Sequence, residues 1–200
     1  MISIRKIVSV AFGALLVCAL VACDSDLKDP RDGRVYKTVK IGSQVWMAEN
    51  LDYETEESYC FRDNPIFCTA QGRLYTLDAA RKACPAGWRL PTYDDFNDLI
   101  SAAGGPDSAG TKLKSKTGWQ KRRGKDCNGT DDFGFNAVPA GYRASNGKYY
   151  DDGGYARFRG TTISLQEKFA FTMALHPQLK AEQFAMNKEF AFSVRCIKDR

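Results

Sequence analysis

The sequence has a single histidine and lacks the common catalytic and cofactor motifs. His176 stands before Pro177 in a predicted turn, so a Ser-His-Asp or Cys-His mechanism has no other imidazole to act as its base. Cys-x-x-Cys, His-Glu-x-x-His and phosphate-cradling glycine patterns are all missing. The neighbouring carboxylates of Asp131 and Asp132 could serve a glycosidase, but adjacent acids more commonly solvate a turn. We therefore predict a protein that is not an enzyme.

The chain also lacks a strong excess of either charge. It holds 29 basic and 24 acidic residues, which gives a formal net charge of +5. Residues 1–22 contain two basic residues and no acid, so the rest of the chain has 27 basic against 24 acidic residues, or +3. This balance gives no general case for nucleic-acid binding, and we predict no nucleic acid among the partners.

The long apolar run at the N-terminus is typical of an export signal. Residues 7–20 are mainly apolar and follow two basic residues, and the run is too short for a confident membrane-spanning helix. It ends in Leu20-Val21-Ala22-Cys23, which resembles the bacterial lipobox, whose cysteine is lipidated. We predict a signal peptide over residues 1–22 and a lipid on Cys23. The lipid would anchor the protein in the bacterial cell envelope, with the outer membrane or cell surface favoured.

The remaining chain divides into a tether and one domain. Residues 24–33 are polar and charged and show no apolar periodicity, so we interpret 23–33 as the lipidated cysteine and a flexible tether. Residues 34–198 suit a single domain, because 44% of the chain is hydrophobic and can supply a core.

Local signals predict two well-marked helices. One covers residues 77–83, with Thr76 as its cap. The other begins at Tyr93, after Thr92, whose hydroxyl can accept a hydrogen bond from the Asp95 amide in a capping box. Its apolar positions follow helical spacing, and Asp95 and the other acids of its first turns are expected to face water.

The pattern is otherwise typical of β-structure. A first hairpin is predicted over residues 34–47, and Asn146-Gly147 marks a second one. A strand is predicted over 169–175. The last strand, over 190–197, is apolar on both sides, which indicates a central strand buried on both faces.

Two loops carry concentrated charge. Seven basic residues and no acid lie between 112 and 125, and such a patch can attract phosphate or uronate groups at low salt, although it is more commonly a solvated face. Residues 126–132 are rich in the oxygen ligands that calcium prefers. The EF-hand pattern fails there, because Asp131 stands where glycine is needed. We predict a structural turn and no cofactor, with calcium as a minor alternative.

Two cysteines indicate a local disulfide. Cys60 and Cys68 lie eight positions apart around an Asn64-Pro65 turn, in a chain with an export signal. Metal binding is a poor alternative, since no histidine is near and the spacing differs from that of a zinc knuckle.

Several motifs, in their order along the chain, are shared with one family. They are Val35 to Gly42 with Trp46-Met47-Ala48-Glu49-Asn50-Leu51, Gly72-Arg73-Leu74-Tyr75, Cys84 to Pro91, Gly134 to Arg143, and Phe192-Ser193-Val194-Arg195-Cys196. The set resembles the Fibrobacter succinogenes major paralogous domain, which occurs on many exported lipoproteins and has no established activity. The chain departs from it at Phe158-Arg159-Gly160-Thr161-Thr162, where members often show Trp-Ser-Ser-Thr. A surface built around that tryptophan is therefore expected to be altered.

A more remote resemblance concerns the fold. Gly87 to Thr92, the acidic helix and the final Arg-Cys strand look like the fold of formylglycine-generating enzymes and C-type lectins. This implies an α+β, C-type-lectin-like domain with paired terminal strands, short helices and disulfides, and it implies a Cys84 to Cys196 bridge. With Cys18 removed in the signal peptide and Cys23 lipidated, five of the seven cysteines remain, and we expect Cys127 to be the free thiol, unless it cross-links or displaces a pair. The enzymes' reactive cysteine pair with copper has no counterpart here.

The predicted function is recognition of a glycan or another envelope or extracellular partner by an anchored, non-catalytic module. Exposed aromatic side chains near two acids could stack on sugar rings, and the alternative is that most of them belong to the core. The candidate ligand-binding residues are Tyr149, Tyr150, Asp151, Asp152, Tyr155 and Phe158. Two other functions stay open. One is a structural envelope protein with protein partners, for which segment 112–125 would matter more, and the less favoured one is an enzyme similar to the formylglycine-generating enzymes.

Overall fold

The computed structural model describes residues 26–178 and 180–199, which form a mixed α+β domain. Its helices are α1 Pro65–Gln71, α2 Leu77–Ala83, α3 Tyr93–Ala102 and α4 Pro106–Lys112. The strands are β1 Leu27–Lys28, β2 Val35–Tyr36, β3 Thr38–Ile41, β4 Gln44–Met47, β5 Ser58–Tyr59, β6 Leu74–Tyr75, β7 Trp88–Arg89, β8 Ala140–Arg143, β9 Tyr149–Asp152, β10 Ala156–Ile163, β11 Phe169–Leu175, β12 Ala181–Asn187, β13 Phe192–Ser193 and β14 Ile197–Lys198. None of these helices has the length and apolar content needed to cross a bilayer. The predicted signal peptide and Cys23 lie outside the described residues.

The strands form two larger sheets and two ribbons. One sheet has the order β12-β11-β10-β13-β6-β5, and the other has the order β3-β4-β14-β7. β8 pairs with β9, and β1 pairs with β2. Residues 191–197 are all buried, as predicted, but they do not form one strand. They supply β13 to the first sheet and β14 to the second, so this segment joins the two sheets.

β12 is a long strand that no sequence pattern indicated. β12 pairs with β11 at seven consecutive positions, from Asn187 opposite Phe169 to Ala181 opposite Leu175. Its residues include no β-branched side chain, so the usual strand signal is absent. Pairing with β11, not local preference, therefore accounts for this strand.

Both predicted disulfides are present, and Cys127 is a buried free thiol. The Cys84–Cys196 bridge, with Cα atoms 5.8 Å apart, ties the end of α2 to the residue before β14. β14 lies between β4 and β7, where Ile197 is opposite both Trp46 and Arg89. The last strand, β14, therefore pairs with β4 of the first hairpin. It does not pair with the first strand, β1, which belongs to a separate ribbon.

The tether prediction is wrong from Leu27 onward. Leu27 is buried in the core cluster that contains Tyr36, and Asp29 is completely buried. The Asp29 carboxylate accepts hydrogen bonds from Arg31, whose Nη2 also donates to the Ala83 carbonyl at 2.6 Å. Residues 27–31 are polar in composition but are held by this ion pair and by one apolar anchor, so the folded domain begins before residue 34.

The Asn64-Pro65 dipeptide starts a helix and is not the tip of a turn. The Asn64 side chain accepts a hydrogen bond from the Ile66 amide at 3.1 Å, and Pro65 occupies the first position of α1. Proline suits this position because its missing N–H would have no partner there. The Cys60–Cys68 bridge then fastens α1 to the segment that precedes it.

The predicted capping box of α3 is confirmed, but the exposure of Asp95 is not. The Thr92 hydroxyl accepts from the Asp95 amide at 3.1 Å, and the Asp95 carboxylate accepts from the Thr92 amide at 2.8 Å. Asp95 is nevertheless only 4% exposed, because Arg89 on β7 covers it with two hydrogen bonds of 2.6 and 2.9 Å. The turn after Cys84 thus brings a cation onto the first turn of α3.

The main core lies under α3 and around Trp46. The Trp46 ring stacks on Phe96 of α3 with centroids 5.7 Å apart and meets Phe135 edge to face at 5.9 Å. The core also contains Arg195, which donates to the Asn50 side chain and to backbone carbonyls, including that of Asn136. Burial lowers the pKa of Arg195 to about 9, so it is still charged at neutral pH.

Candidate functional site

The structure separates the predicted aromatic residues into surface and core. The Tyr150 side chain is 40% exposed, and Tyr149 and Tyr155 are half-buried. The prediction that Phe158 is an exposed ligand-binding residue is wrong, because it is completely buried within β10 and meets Phe135 edge to face at 5.6 Å. The sequence departure that begins at Phe158 therefore falls mainly in the core.

A stack of aromatic rings forms on one side of the β8–β9 hairpin. The Asn146-Gly147 turn sets the register, which places Tyr142 opposite Tyr150. Their rings stack with centroids 5.4 Å apart, and the Tyr142 ring also stacks with Phe190 at 5.7 Å. Tyr142 is therefore covered by its neighbours, whereas Tyr150 lies at the exposed end of the stack.

Arg157 connects this stack to Tyr155. Its guanidinium carbon lies 4.9 Å from the centroid of the Tyr142 ring and 4.3 Å from that of the Tyr155 ring. The same guanidinium donates to the Asp151 carboxylate at 2.6 Å, and its side chain is only 11% exposed. The arrangement holds Arg157 in a fixed position between two rings. We call Tyr142, Tyr150, Tyr155 and Arg157, together with Asp151 and Asp152, the hairpin surface.

Tyr149 belongs to the other side of the hairpin. Its ring meets Phe61 edge to face at 5.2 Å, and its hydroxyl donates to the Asp63 carboxylate. Burial and this hydrogen bond raise the pKa of Tyr149 to about 12. Arg143 lies 3.9 Å from the centre of the Tyr59 ring and borders a groove of about 400 Å³. Through Phe61 and Asp63, Tyr149 thus joins the hairpin to the segment that the Cys60–Cys68 disulfide closes.

Three residues on and near the hairpin have a positive φ. Arg62 and Asp63 have φ values of 55° and 53°, and Asp151 has 62°, all in the left-handed region that side chains rarely adopt. Asp63 holds Tyr149, and Asp151 holds Arg157. Aspartate tolerates this region better than most residues, and four other non-glycine residues adopt it elsewhere, so the φ values alone do not distinguish the hairpin surface.

The remaining predicted residue, Asp152, faces α1. Its carboxylate accepts a hydrogen bond from the Gln71 side chain at 3.3 Å. Tyr150, Asp151 and Tyr155 therefore belong to one surface, with Asp152 at its border, Tyr149 on the opposite side of the hairpin and Phe158 in the core.

The predicted basic patch contains one residue that does not belong to the surface. Lys114 is completely buried, and its ammonium group donates to the Cys127 carbonyl at 2.6 Å and to the His176 carbonyl at 3.3 Å. Burial lowers its pKa. Five of the other basic residues are exposed, and we call them the basic loop: Lys116, Lys121, Arg122, Arg123 and Lys125.

Residues 126–132 use their carboxylates in turns. Asp126 accepts from the Asn128 amide at 3.0 Å, and Asp131 accepts from the Asn136 amide at 2.7 Å. Within residues 26–178 and 180–199, three or more potential His, Cys, Asp or Glu ligands do not gather around any point that could hold a metal. The favoured interpretation of this segment as a structural turn agrees with these contacts.

Sequence reasoning missed the residues that organise the hairpin surface. Tyr142 was missed because a two-residue Asn146-Gly147 turn would place it opposite Asp151. The hairpin instead closes on the three-residue loop 145–147, with the Ala144 amide bonded to the Lys148 carbonyl, and this puts Tyr142 opposite Tyr150. Arg157 and Asp63 could not be found, since they reach the hairpin from β10 and from the disulfide-bonded segment.

The comparison with protein families gives one match. Residues 39–198 match the model of the Fibrobacter succinogenes major domain. Searches of curated proteins and of solved structures give no match.

Proposed function

Because the chain belongs to the Fibrobacter succinogenes major domain family, we propose that it is an exported, non-catalytic module that binds glycan through the hairpin surface. The observation that carries this proposal is the ring of Tyr150, which is 40% exposed and held in place by Tyr142. A preorganised ring loses little freedom when a sugar covers it. The Asp151 carboxylate beside it is 33% exposed and uses only its Oδ2 for Arg157, so its other oxygen can accept from a sugar hydroxyl.

Cysteine chemistry supports a location outside the cytoplasm. Two disulfides persist in an oxidising compartment, and they agree with the export signal read from residues 1–22. We propose that Cys23 carries the lipid. Only three residues separate it from Leu27, which already belongs to β1, so the link spans at most about 14 Å when fully extended. Such a short link would keep the domain next to the membrane.

The architecture that we propose is C-type-lectin-like. Support comes from β14, which lies between β4 and β7, and from the Cys84–Cys196 bridge beside it. Together they bring the end of the chain back to its first hairpin, as the resemblance implies. The hairpin surface would then belong to the variable connections that such a scaffold presents.

Removal of the Tyr150 ring tests the proposed function. We expect Tyr150→Ala to weaken binding to a responsive polysaccharide on a glycan array by about tenfold or more, as loss of a central aromatic contact does. Tyr150→Phe keeps the stacking ring and should retain most of the binding. Leu165→Ala, a matched change at a fully exposed apolar residue on another hairpin, should have no effect.

Two results would contradict the proposed function. One is a folded protein that binds no glycan on the array, and the other is binding that Tyr150→Ala and Leu165→Ala reduce equally. Thermal unfolding of each variant shows whether the fold is intact, since loss of one aromatic pair should reduce stability by only about 1 kcal/mol.

A second candidate function, a structural envelope protein with a protein partner, is favoured by the exposed cations of the basic loop. Retention on purified envelopes that survives Tyr150→Ala, but is lost when Lys121, Arg122 and Arg123 become glutamine and when envelope proteins are digested, would favour it. Retention that depends on Tyr150 and resists protease digestion would favour the glycan function.

A further inference from the structure

The hairpin surface and the basic loop, which the sequence suggests as separate features, lie side by side. The Gln120 amide donates to the Gly153 carbonyl at 2.8 Å, in the turn between β9 and β10. A Cβ atom on Gly153 would lie 2.6 Å from the Gln120 side chain, so the approach is close. The guanidinium carbon of Arg122 lies 5.7 Å from the centre of the Tyr155 ring. The basic loop therefore extends the hairpin surface.

Three tyrosine rings and two guanidinium groups form a continuous row along this joint surface. Its order is Tyr150, Tyr142, Arg157, Tyr155 and Arg122. Neighbouring members lie between 4.3 and 5.7 Å apart, measured between ring centroids or from the guanidinium carbon to the ring centroid. An isolated sugar would cover one end of such a row. Tyr142 and Arg157 in its middle are largely covered, whereas Tyr150 and Arg122 are exposed. An elongated ligand with several sugar rings could reach both of these exposed residues.

Unpaired positive charge is concentrated at the basic-loop end of this row. Near the hairpin the acids are already paired, Asp151 with Arg157 and Asp152 with Gln71. In the part of the chain that the structure describes, no ion pair joins an acid to the five cations of the basic loop. Nearby Asp126 is turned to the Asn128 amide. The basic loop therefore has positive charge available for a ligand.

We propose that the ligand is an acidic polysaccharide whose sugar rings lie on Tyr150 and whose carboxylates meet the basic loop. This inference rests on the proposed glycan-binding function and adds the ligand's charge. Nucleic acid is not the ligand that we infer, because the chain after residue 22 has a net charge of only +3, which gives no general case for binding a phosphate backbone.

The test compares polygalacturonate with the same polymer after methyl esterification, which removes the charge and keeps the sugar. The protein is the chain from residue 24 onward, which retains every residue that the structure describes. In about 10 mM salt, where the Debye length is about 30 Å, we expect calorimetry to show at least tenfold tighter binding of polygalacturonate. In about 0.1 M salt, where the length is about 10 Å, the difference should shrink.

Matched variants locate the contact. Lys121→Gln, Arg122→Gln and Arg123→Gln combined should weaken polygalacturonate binding about tenfold or more and leave the methyl ester unaffected. Lys37→Gln, Lys40→Gln and Lys168→Gln combined remove the same charge from exposed positions elsewhere, and should change the affinity less than about twofold.

The outcomes separate this inference from the function on which it rests. Equal binding of both polymers, lost in Tyr150→Ala, would overturn the acidic ligand and keep glycan recognition. Equal loss in the two triple variants, or equally tight binding of duplex DNA, would reduce the effect to net charge and overturn the inference. If the folded protein bound neither polymer and no other glycan, both proposals would be wrong.

Discussion

The replacement Asp95→Asn should destabilise the domain through a single carboxylate that ties β7 to α3. Asp95 accepts from Arg89 at 2.6 and 2.9 Å and from the Thr92 amide and hydroxyl at 2.8 and 2.7 Å. Burial by itself would raise the pKa of Asp95, but the hydrogen bonds from Arg89 and Thr92 outweigh it and lower the pKa to about 2.

The lowered pKa sets the magnitude and the pH range. Relative to the ordinary value of 3.8, a folded-state pKa of about 2 corresponds to roughly 2.5 kcal/mol of stability above pH 4. Below pH 4 the unfolded chain takes up a proton before the folded one does, so this stability is lost as the pH falls through about 2. We expect Asp95→Asn to lower the free energy of unfolding by about 2 to 4 kcal/mol at pH 7, because it also leaves the Arg89 charge without its partner.

Urea unfolding at pH 7 and at pH 2.5, with disulfides intact, measures this effect. The difference between the wild type and Asp95→Asn should shrink by more than about 1 kcal/mol at the lower pH. Asp94→Asn is the matched control, because Asp94 is exposed in the same helical turn and should matter by less than about 1 kcal/mol. A difference that is the same at both pH values would refute the assignment of the stability to the Asp95 charge.

Two further predictions concern the scaffold. Cys84→Ser combined with Cys196→Ser should lower the free energy of unfolding by roughly 5 kcal/mol, because the bridge closes a loop of 112 positions. Guanidinium unfolding measures this loss, and a loss below about 2 kcal/mol would contradict the chain-entropy argument. Gly129→Ala should destabilise by more than about 2 kcal/mol, since its Cβ would lie 2.3 Å from the Lys114 carbonyl oxygen. Gly124→Ala, where nothing lies within 4 Å but φ is +76°, should show only a backbone cost of about 1 kcal/mol, and equal thermal shifts would contradict the clash.

Features encoded by neighbouring residues could be predicted from the sequence. The Thr92 to Asp95 capping box, the Thr76 cap and the Asn146-Gly147 hairpin depend on residues within a few positions of one another. The same is true of the Cys60–Cys68 bridge. These local patterns needed no knowledge of the rest of the fold.

Features that depend on distant partners could not be predicted. Lys114 was expected among exposed cations. Its ammonium group instead donates to the carbonyls of Cys127 and His176, which no local sequence pattern places together. Phe158 and Tyr150 are both aromatic residues of the β-rich part of the sequence, yet Phe158 lies in a central strand and Tyr150 lies at an open hairpin. The continuity between Arg122 and Tyr155 likewise arises only when two loops meet.

The position of β14 has a consequence for the order in which the protein matures. A chain that enters an oxidising compartment N-terminus first presents Cys60 and Cys68 together, but Cys84 must wait for Cys196, 112 positions later. Cys127 arrives in between as a rival thiol for Cys84. Correct oxidation therefore requires either a delay until export is complete or exchange of a transient Cys84 to Cys127 bridge by thiol attack. The Cys84–Cys196 bridge, and with it the native fold, can therefore form only after Cys196 has entered the compartment.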